Sequence, residues 1–529
     1  MGSFFAKASV GLLQLCWLSY VGVAGRCAFA DRHLHYQQQE LSSERPMLPF
    51  WYETPDGRFR LHYALSGRDA VPSGDYDRNG LPDYLDTAAA LLRYVYTVLV
   101  DSLQYPPPPL DSGRGGSSAY DVYFVDLGGR GLYGETVPEQ LLPHGVYPCF
   151  SSFLLLDNDY SPLDSSNRRP TYRETGVRAL RIAIAHELYH AIQFGNYGIA
   201  QHGVLLYELA STFMEWRVFP DTRDYEQFLP ELFHSPERCV FGEADNPSLG
   251  YRFAVFGQYL YVRWGDGVLR RMWEGIGRGA HPYAALDTAL QQVGGITLAD
   301  AWCQFLPWMY YTGERARPGY FPRAADFPTV RFAVAERFVA PAFVHTGRLL
   351  PFEFRFARVL VGHEDGSRTP DTLDVAFSYP NTGAVVSRDS SAVTYTLAFG
   401  MLPQGDPLPG TPYRIRWESN HTLCYHTFWN AGFPLQVISR PYPQPYLVGR
   451  HEKLCLPVPA SVRLEESAEV ELYTPAWTRV AGFAARVQAD GERMTCCIVP
   501  GSLQSGVYVY RLRVAGYEEW GKLVVWAEP

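Results

Sequence analysis

The stretch Ala179-Leu-Arg-Ile-Ala-Ile-Ala-His-Glu-Leu-Tyr-His-Ala-Ile-Gln193 decides the fold of the first half of this chain. It is largely apolar and contains neither Gly nor Pro, which predicts a buried helix. Residues four apart share one face of a helix, so His186 and His190 stack one turn apart with both imidazoles directed at one point. Glu187 lies one step round the helix, where it can bind a metal-bound water without ligating the metal. The spacing predicts two metal ligands and a general base.

A third ligand is expected nearby, because a catalytic zinc site has three protein ligands and one open position. Glu208 is the candidate, since it lies in a second helical run, Leu205–Trp216. Glu215 is two turns further along the same face, where we expect it to accept a hydrogen bond from a ligating histidine and fix its tautomer. His202 is the alternative ligand. It fits worse, because the pattern with a third histidine also requires a Gly and a spacing that this chain lacks.

Further motifs accompany these two helical runs. They are Thr212-Phe-Met-Glu215, Val218-Phe-Pro-Asp221, Asp224-Tyr225, Phe305-Leu-Pro-Trp308 and Tyr311-Thr-Gly313. From about residue 52 to 320 the chain resembles secreted bacterial metalloproteases of the gluzincin type, whose site combines His-Glu-x-x-His with a distal Glu. The resemblance implies a zincin-type domain that binds zinc. Leu205 stands where the family has Trp, and Ser211 where Ala is usual; we expect that neither touches a ligand, so these departures leave metal binding intact and concern the shape of the substrate cleft.

The composition is that of a globular protein. The 529 residues are 47% hydrophobic and 19% charged, and this length allows three domains of ordinary size. The net charge of −9, without a cluster of Lys or Arg, argues against nucleic acid and against an anionic membrane surface as partners.

The N-terminus is typical of an export signal. Lys7 precedes an apolar run from Ala8 to Gly25, and Ala28-Phe-Ala30 matches a cleavage site, so we expect residues 1–30 to be removed before Asp31. An uncleaved anchor is the alternative. No other segment is long and apolar enough to cross a bilayer. We therefore expect a secreted or cell-surface protein.

An acidic loop predicts a second metal site. Oxygen-bearing residues occupy positions 1, 3, 5, 9 and 12 of an EF-hand-like calcium loop, namely Asp75, Asp77, Asn79, Asp83 and Asp86, with Gly80 at position 6. The alternative is a turn that caps a helix predicted from Thr87 to Val100. The short Asp at position 12 weakens bidentate binding. Proteins of the resembling family carry a similar signature before their first helix, which implies a structural role.

Nine cysteines are present, two of them in the predicted signal peptide. The remaining number is odd, and no Cys-x-x-Cys pair suggests zinc. We expect most of these cysteines to be buried small apolar residues.

The sequence predicts an α+β protein with a metallopeptidase domain followed by two β-sandwich domains. The metallopeptidase domain covers 47–325, and the sandwiches cover 326–451 and 452–529. Helical patterns continue to Tyr311. Beyond about Phe327, alternating segments punctuated by Pro and Gly, such as Ala392–Phe399, are typical of a sandwich.

The last segment ends in Ser505-Gly-Val-Tyr508 and Lys522-Leu-Val-Val525. It resembles the C-terminal sorting domain of the Bacteroidetes-type secretion system, which implies outer-membrane secretion machinery as a partner. A generic accessory sandwich stays open as the alternative, since the first half of the segment lacks the usual Gly-containing turn.

Two strands are predicted before the metal-binding helix, Tyr120–Asp126 and Ser152–Asn158. In gluzincins the strand shortly before that helix borders the cleft and pairs with an extended substrate. We predict that Ser152–Asn158 is this edge; an ordinary core strand is the alternative.

The leading hypothesis is a zinc-dependent endopeptidase that acts on polypeptides. Zinc held by His186, His190 and Glu208 would activate a water, and Glu187 would move its proton to the leaving amine. Tyr251 is the predicted oxyanion stabiliser, because the aminopeptidase branch of gluzincins uses a downstream Tyr; a core Tyr is the alternative.

Two other functions are open. A gluzincin aminopeptidase is disfavoured, because no Gly-x-Met-x-Asn motif is present. A non-catalytic adhesin or glycan-binding protein on a zincin scaffold is disfavoured by the intact Glu187.

Overall fold

The computed structural model describes residues 26–27, 29, 44–164, 170–338, 342–361, 371–430, 441, 443–458, 462, 465–490, 493–501, 503–515 and 517–527. Of the chain, 32% is helical and 30% is strand, with several sheets, so the predicted α+β class is confirmed. Two compact units are present: the described residues up to Phe228 with Ala244–Ala289, and Leu229–Glu243 with the described residues from Leu290 onward. The predicted domain 47–325 does not coincide with either unit.

The helices and strands are numbered in chain order. The α-helices are α1 Asp83–Tyr96, α2 Gly176–Asn196, α3 Leu205–Val218, α4 Leu229–His234, α5 Ala254–Trp264, α6 Gly267–Gly277, α7 Pro282–Gly294, α8 Leu298–Tyr310 and α9 Thr382–Ser387. The strands of the first unit are β1 Arg26–Cys27, β2 Phe50–Glu53, β3 Phe59–Tyr63, β4 Tyr120–Val125, β5 Leu132–Leu141 and β6 Phe150–Asp157. None of the helices in the described part of the chain is long and apolar enough to cross a membrane.

The strands of the second unit form three sheets. They are β7 Val334–Arg337, β8 Ala342–Leu349, β9 Phe354–Val361, β10 Asp371–Ser378, β11 Val393–Gly400, β12 Asp406–Pro407, β13 Arg414–Ser419, β14 Cys424–Asn430, β15 Tyr446–Val448, β16 Leu454–Pro457, β17 Ser467–Tyr473, β18 Arg479–Asp490, β19 Arg493–Ile498, β20 Gly506–Val514 and β21 Tyr517–Ala527.

The first unit contains a six-stranded sheet in the order β1-β5-β6-β4-β3-β2. Strands β3, β4 and β6 run parallel, and β5 runs antiparallel to β6. The prediction that Ser152–Asn158 is the cleft edge is wrong, because β6 lies between β5 and β4 and is paired on both sides. Its residues are almost all buried, as the Phe-Leu-Leu-Leu sequence requires of a central strand covered on both faces. Strand β5 lies between β6 and the two-residue strand β1, nearer the edge of the sheet than β6.

Helix α2 packs against β5 and β6, and α3 and α1 also pack against it. It is buried almost continuously from Ala179 to Gly195, because neighbours surround it rather than covering one face. Helix α1 begins at Asp83, earlier than the predicted Thr87, because Asp83 and Asp86 in its first turn favour the positive end of the helix dipole.

The second unit contains two four-stranded sheets, ordered β14-β10-β9-β7 and β12-β13-β11-β8. Both sheets contribute to one buried cluster that includes Val359, Leu373, Tyr395 and Leu397, as a sandwich core does. Helix α8 also belongs to this unit, where the Tyr310 hydroxyl donates to Asp374 Oδ2 at 2.7 Å.

The last sheet has seven strands in the order β15-β21-β20-β17-β18-β19-β16. We predicted two packed sheets, and the described residues form one continuous sheet around its own core. The reason is the length of β18, whose first part pairs with β17 and whose last part pairs with β19. The sheet also takes in β15, which lies before the predicted boundary at residue 452.

The expectation that most cysteines are simple apolar residues is wrong for four of them. Disulfides join Cys303 on α8 to Cys424 on β14, and Cys455 on β16 to Cys497 on β19. Cys149 and Cys496 are free and buried, and Cys239 is also buried. The sequence separations of 121 and 42 residues do not indicate these pairs. The pairing of β16 with β19 places Cys455 opposite Cys497, and the packing of α8 on β14 brings Cys303 to Cys424.

Candidate metal centre

Helices α2 and α3 bring His186, His190 and Glu208 together. One ligand atom from each of them lies within 4.8 Å of the others. All three side chains are buried, with Glu208 and His190 at 0% exposure. The two histidines come from successive turns of one helix, and Glu208 comes from the first turn of the helix packed against it. The group could therefore hold a metal ion, which is what the spacing of the histidines and the distal Glu predicted.

Hydrogen bonds orient both imidazole rings. His186 Nδ1 lies 2.7 Å from Glu215 Oε1, and His190 Nδ1 lies 2.7 Å from Gln193 Oε1. The Ser211 hydroxyl is also 3.2 Å from His190 Nδ1. The two Nε2 atoms lie 3.1 Å apart, so the remaining nitrogens face the same point. Such partners on the far side of a ring fix which nitrogen is free to ligate.

Two of these orienting residues were missed in the sequence. Gln193 is one turn from His190 on the same helix, and Ser211 is one turn from Glu208. Their spacing of three residues was the available signal, since such residues share a helix face. The expectation that Ser211 touches no ligand is wrong, because its hydroxyl contacts His190 Nδ1 and supports that ring.

The chemistry of these groups fits a cation. Within the described part of the chain, neither carboxylate oxygen of Glu208 accepts a well-aligned hydrogen bond. Its Oε2 lies 3.2 Å from His186 Nε2 and 3.7 Å from His190 Nε2. A buried carboxylate without compensation is costly, and a metal ion at the meeting point of two nitrogens and one oxygen would supply that compensation.

The titration of the group agrees with this need for positive charge. Burial would raise the pKa of Glu208, but the two histidines outweigh it and lower the pKa to about 2. Burial would lower the pKa of His186, but Glu208 and Glu215 outweigh it and raise the pKa well above its usual value. Both pKa shifts favour positive charge between these side chains, and a bound metal ion would supply it.

Glu187 lies beside the ligand group, and its carboxylate is held by a residue of β5. Its Oε2 is 2.8 Å from the hydroxyl of Thr136 on β5. Burial raises the pKa of Glu187, and the neighbouring imidazoles partly offset the rise. A Cβ added at Gly134 would stand 2.7 Å from Glu187 Cγ, so only glycine lets β5 approach this closely. Thr136 and Gly134 were missed, because nothing in the local sequence links β5 to α2.

The other predicted residues lie as follows. The Tyr251 ring is buried and stacks on His186, with 6.1 Å between ring centroids. Its role as oxyanion stabiliser stays a prediction. His202, the alternative ligand, lies outside the group, with its Nδ1 2.9 Å from Asp245 Oδ2.

The predicted calcium loop brings three carboxylates together. Ligand atoms of Asp75, Asp77 and Asp83 lie within 4.8 Å of one another. Asp86 is outside this group, and its Oδ2 accepts a hydrogen bond from Asn79 Nδ2 at 3.1 Å. Backbone N–H groups of the loop also donate to Asp75, as they do in an ordinary turn. The geometry thus suits both a calcium loop and the alternative turn.

We expect Asp77→Ala to melt at a lower temperature than the parent protein in calcium, and at the same temperature in a calcium chelator. A bound ligand stabilises only the folded state that binds it, by about 2.7 kcal/mol at a 100-fold excess over Kd. Thermal melting in both buffers is the measurement. Asp101→Ala, which removes a half-exposed aspartate outside the loop, is the matched control. Insensitivity of the parent protein to calcium would reduce the loop to a turn.

Comparisons with known proteins add nothing to this geometry. No family model and no curated protein matches the chain. A solved structure, that of neural ectodermal development factor IMP-L2, is 9% identical over 37% of this chain and 92% of that chain, with a TM-score of 0.10. Similarity at that level carries no argument about fold or function.

Proposed function

We propose that this protein is a secreted zinc-dependent endopeptidase. The observation that carries the proposal is the buried group of His186, His190 and Glu208 with the carboxylate of Glu187 beside it. Two nitrogens and one carboxylate oxygen form the ligand set of a catalytic zinc site, in which one position stays open. Zinc bound there would lower the pKa of a water and polarise a scissile carbonyl.

The chain's own residues have separate tasks in this reaction. Glu187 takes the proton of the attacking water and returns it to the leaving amine, and the Thr136 hydroxyl holds its carboxylate in place. Glu215 and Gln193 keep the ligating nitrogens of the two histidines directed at the metal. Tyr251, whose ring stacks on His186, would stabilise the oxyanion.

Polypeptides are the proposed substrates. The sheet offers β5 as the strand nearest Glu187, and an extended peptide can bind to such a strand by backbone hydrogen bonds. Export under the predicted signal, calcium at the acidic loop and delivery by outer-membrane secretion machinery belong to the same proposal.

The test is cleavage of unfolded casein by the purified protein. Ortho-phenanthroline should abolish the cleavage, and added zinc should restore it. The meta isomer, which cannot chelate, should have no effect at the same concentration. Cleavage that survives removal of the metal, or a metal-loaded protein that begins at Asp31 and leaves casein intact, would contradict the proposal.

A further inference from the structure

The outer edge of β5 is paired with the chain's own N-terminal segment. Strand β1 runs parallel to β5, with Arg26 opposite Leu132 and Cys27 opposite Gly134. Gly134 is the residue that stands against Glu187. The segment thus takes the backbone positions that an extended peptide would need in order to reach the metal centre.

The described residue that follows this strand reaches the metal ligands themselves. Phe29 is 1% exposed, and its ring centroid lies 5.3 Å from that of His190. The rings of Phe194 and Tyr207 also surround Phe29, with their centroids 5.0 and 5.6 Å from the Phe29 centroid. The ring geometries are tilted, as in other well-packed aromatic clusters. An aromatic side chain therefore fills a pocket that includes one of the proposed zinc ligands.

We propose that the edge of β5 and the pocket of His190, Phe194 and Tyr207 form a binding site for an extended peptide with an aromatic side chain. In the uncleaved chain, β1 occupies the strand edge and Phe29 occupies the pocket. Backbone pairing at a strand edge and one aromatic anchor in an apolar pocket are sufficient for such binding. The inference deepens the proposed function, since it names the peptide-binding path of the same site and the segment that blocks it.

The position of the blocking segment gives it a regulatory consequence. It ends just before the cleavage site predicted at Asp31, so the cut that releases the signal peptide also removes the occupant. The uncut chain is latent, and the cut chain has an open strand edge and an empty aromatic pocket. Peptides with an aromatic residue at the matching position are the substrates that this pocket selects.

The experiment compares Phe29→Ala with Phe59→Ala in the full chain loaded with zinc. Phe59 is equally buried, at 1% exposure, but makes edge-to-face contacts with Tyr96 and Tyr120 instead. The first readout is the rate at which ortho-phenanthroline removes zinc, and the second is casein cleavage. Loss of a buried aromatic anchor typically weakens binding by about tenfold or more, so Phe29→Ala should lose zinc at least about tenfold faster than the parent. Phe59→Ala should lose zinc at the parent rate.

A second variant guards against a folding defect. A recognition site for a sequence-specific protease, placed between residues 31 and 43, lets the chain fold with Phe29 present and be cut afterwards. Faster zinc removal after the cut supports the inference even if casein is not cleaved, in which case only the proposed endopeptidase function fails. Unchanged zinc removal in both Phe29→Ala and the cut chain would overturn the inference.

Discussion

Replacing Glu187 with Gln is expected to leave a folded, zinc-loaded protein that has lost nearly all peptidase activity. The amide has the shape of the carboxylate, and its oxygen can still accept a hydrogen bond from Thr136. It cannot take a proton at neutral pH. General base catalysis contributes about a hundred- to ten-thousand-fold, and here one group acts first as base and then as acid, so a loss near the top of that range is expected.

Casein turnover and zinc content, measured on the same sample, check this expectation. Glu274→Gln is the matched control, because it makes the same change at a half-exposed residue on α6 that pairs with Arg270. That variant should keep both activity and metal. A folded, zinc-loaded Glu187→Gln protein that retains more than about a tenth of the parent turnover would show that Glu187 is not the base.

His190→Ala is expected to reduce the zinc content from close to one per chain to almost none. The substitution removes one of three ligands and leaves His186 and Glu208 alone, and two ligands do not make a stable zinc shell. The loss should also empty a space between Phe194 and Ser211, because His190 contacts both. Activity should disappear with the metal.

Metal analysis of the purified variant is the measurement, and His202→Ala is the control. His202 was the alternative ligand in the sequence, and in the structure it lies against Asp245 at the surface. We therefore expect His202→Ala to keep its zinc. Stoichiometric zinc in His190→Ala, or loss of zinc in His202→Ala, would contradict the ligand assignment.

The predictable part of the site is the part that local geometry determines. The spacing of His186 and His190 places them on one face of any helix, and Glu208 and Glu215 are related in the same way on the next. The missed part depends on pairing between distant segments. Thr136 lies next to Glu187 only because β5 pairs with β6 and packs against α2.

The difference between local geometry and pairing of distant segments also explains the errors in the predicted fold. Alternation located strands such as Tyr120–Val125 and Val393–Gly400, but an apolar strand has the same sequence pattern whether it lies at an edge or inside a sheet. Ser152–Asn158 was therefore misplaced. The four disulfide-bonded cysteines were misjudged for a related reason, since pairing in space cannot be deduced from spacing alone.

The disulfide between Cys303 and Cys424 bears on how the protein has to be produced. It closes a loop of 121 residues, and in the chain-entropy model a loop of that size restricts the unfolded chain by about 4 to 5 kcal/mol. Reducing compartments keep cysteine thiols reduced. Protein made in an ordinary bacterial cytosol would therefore lack this disulfide and the one between Cys455 and Cys497. Expression in an oxidising compartment is the appropriate route to native protein.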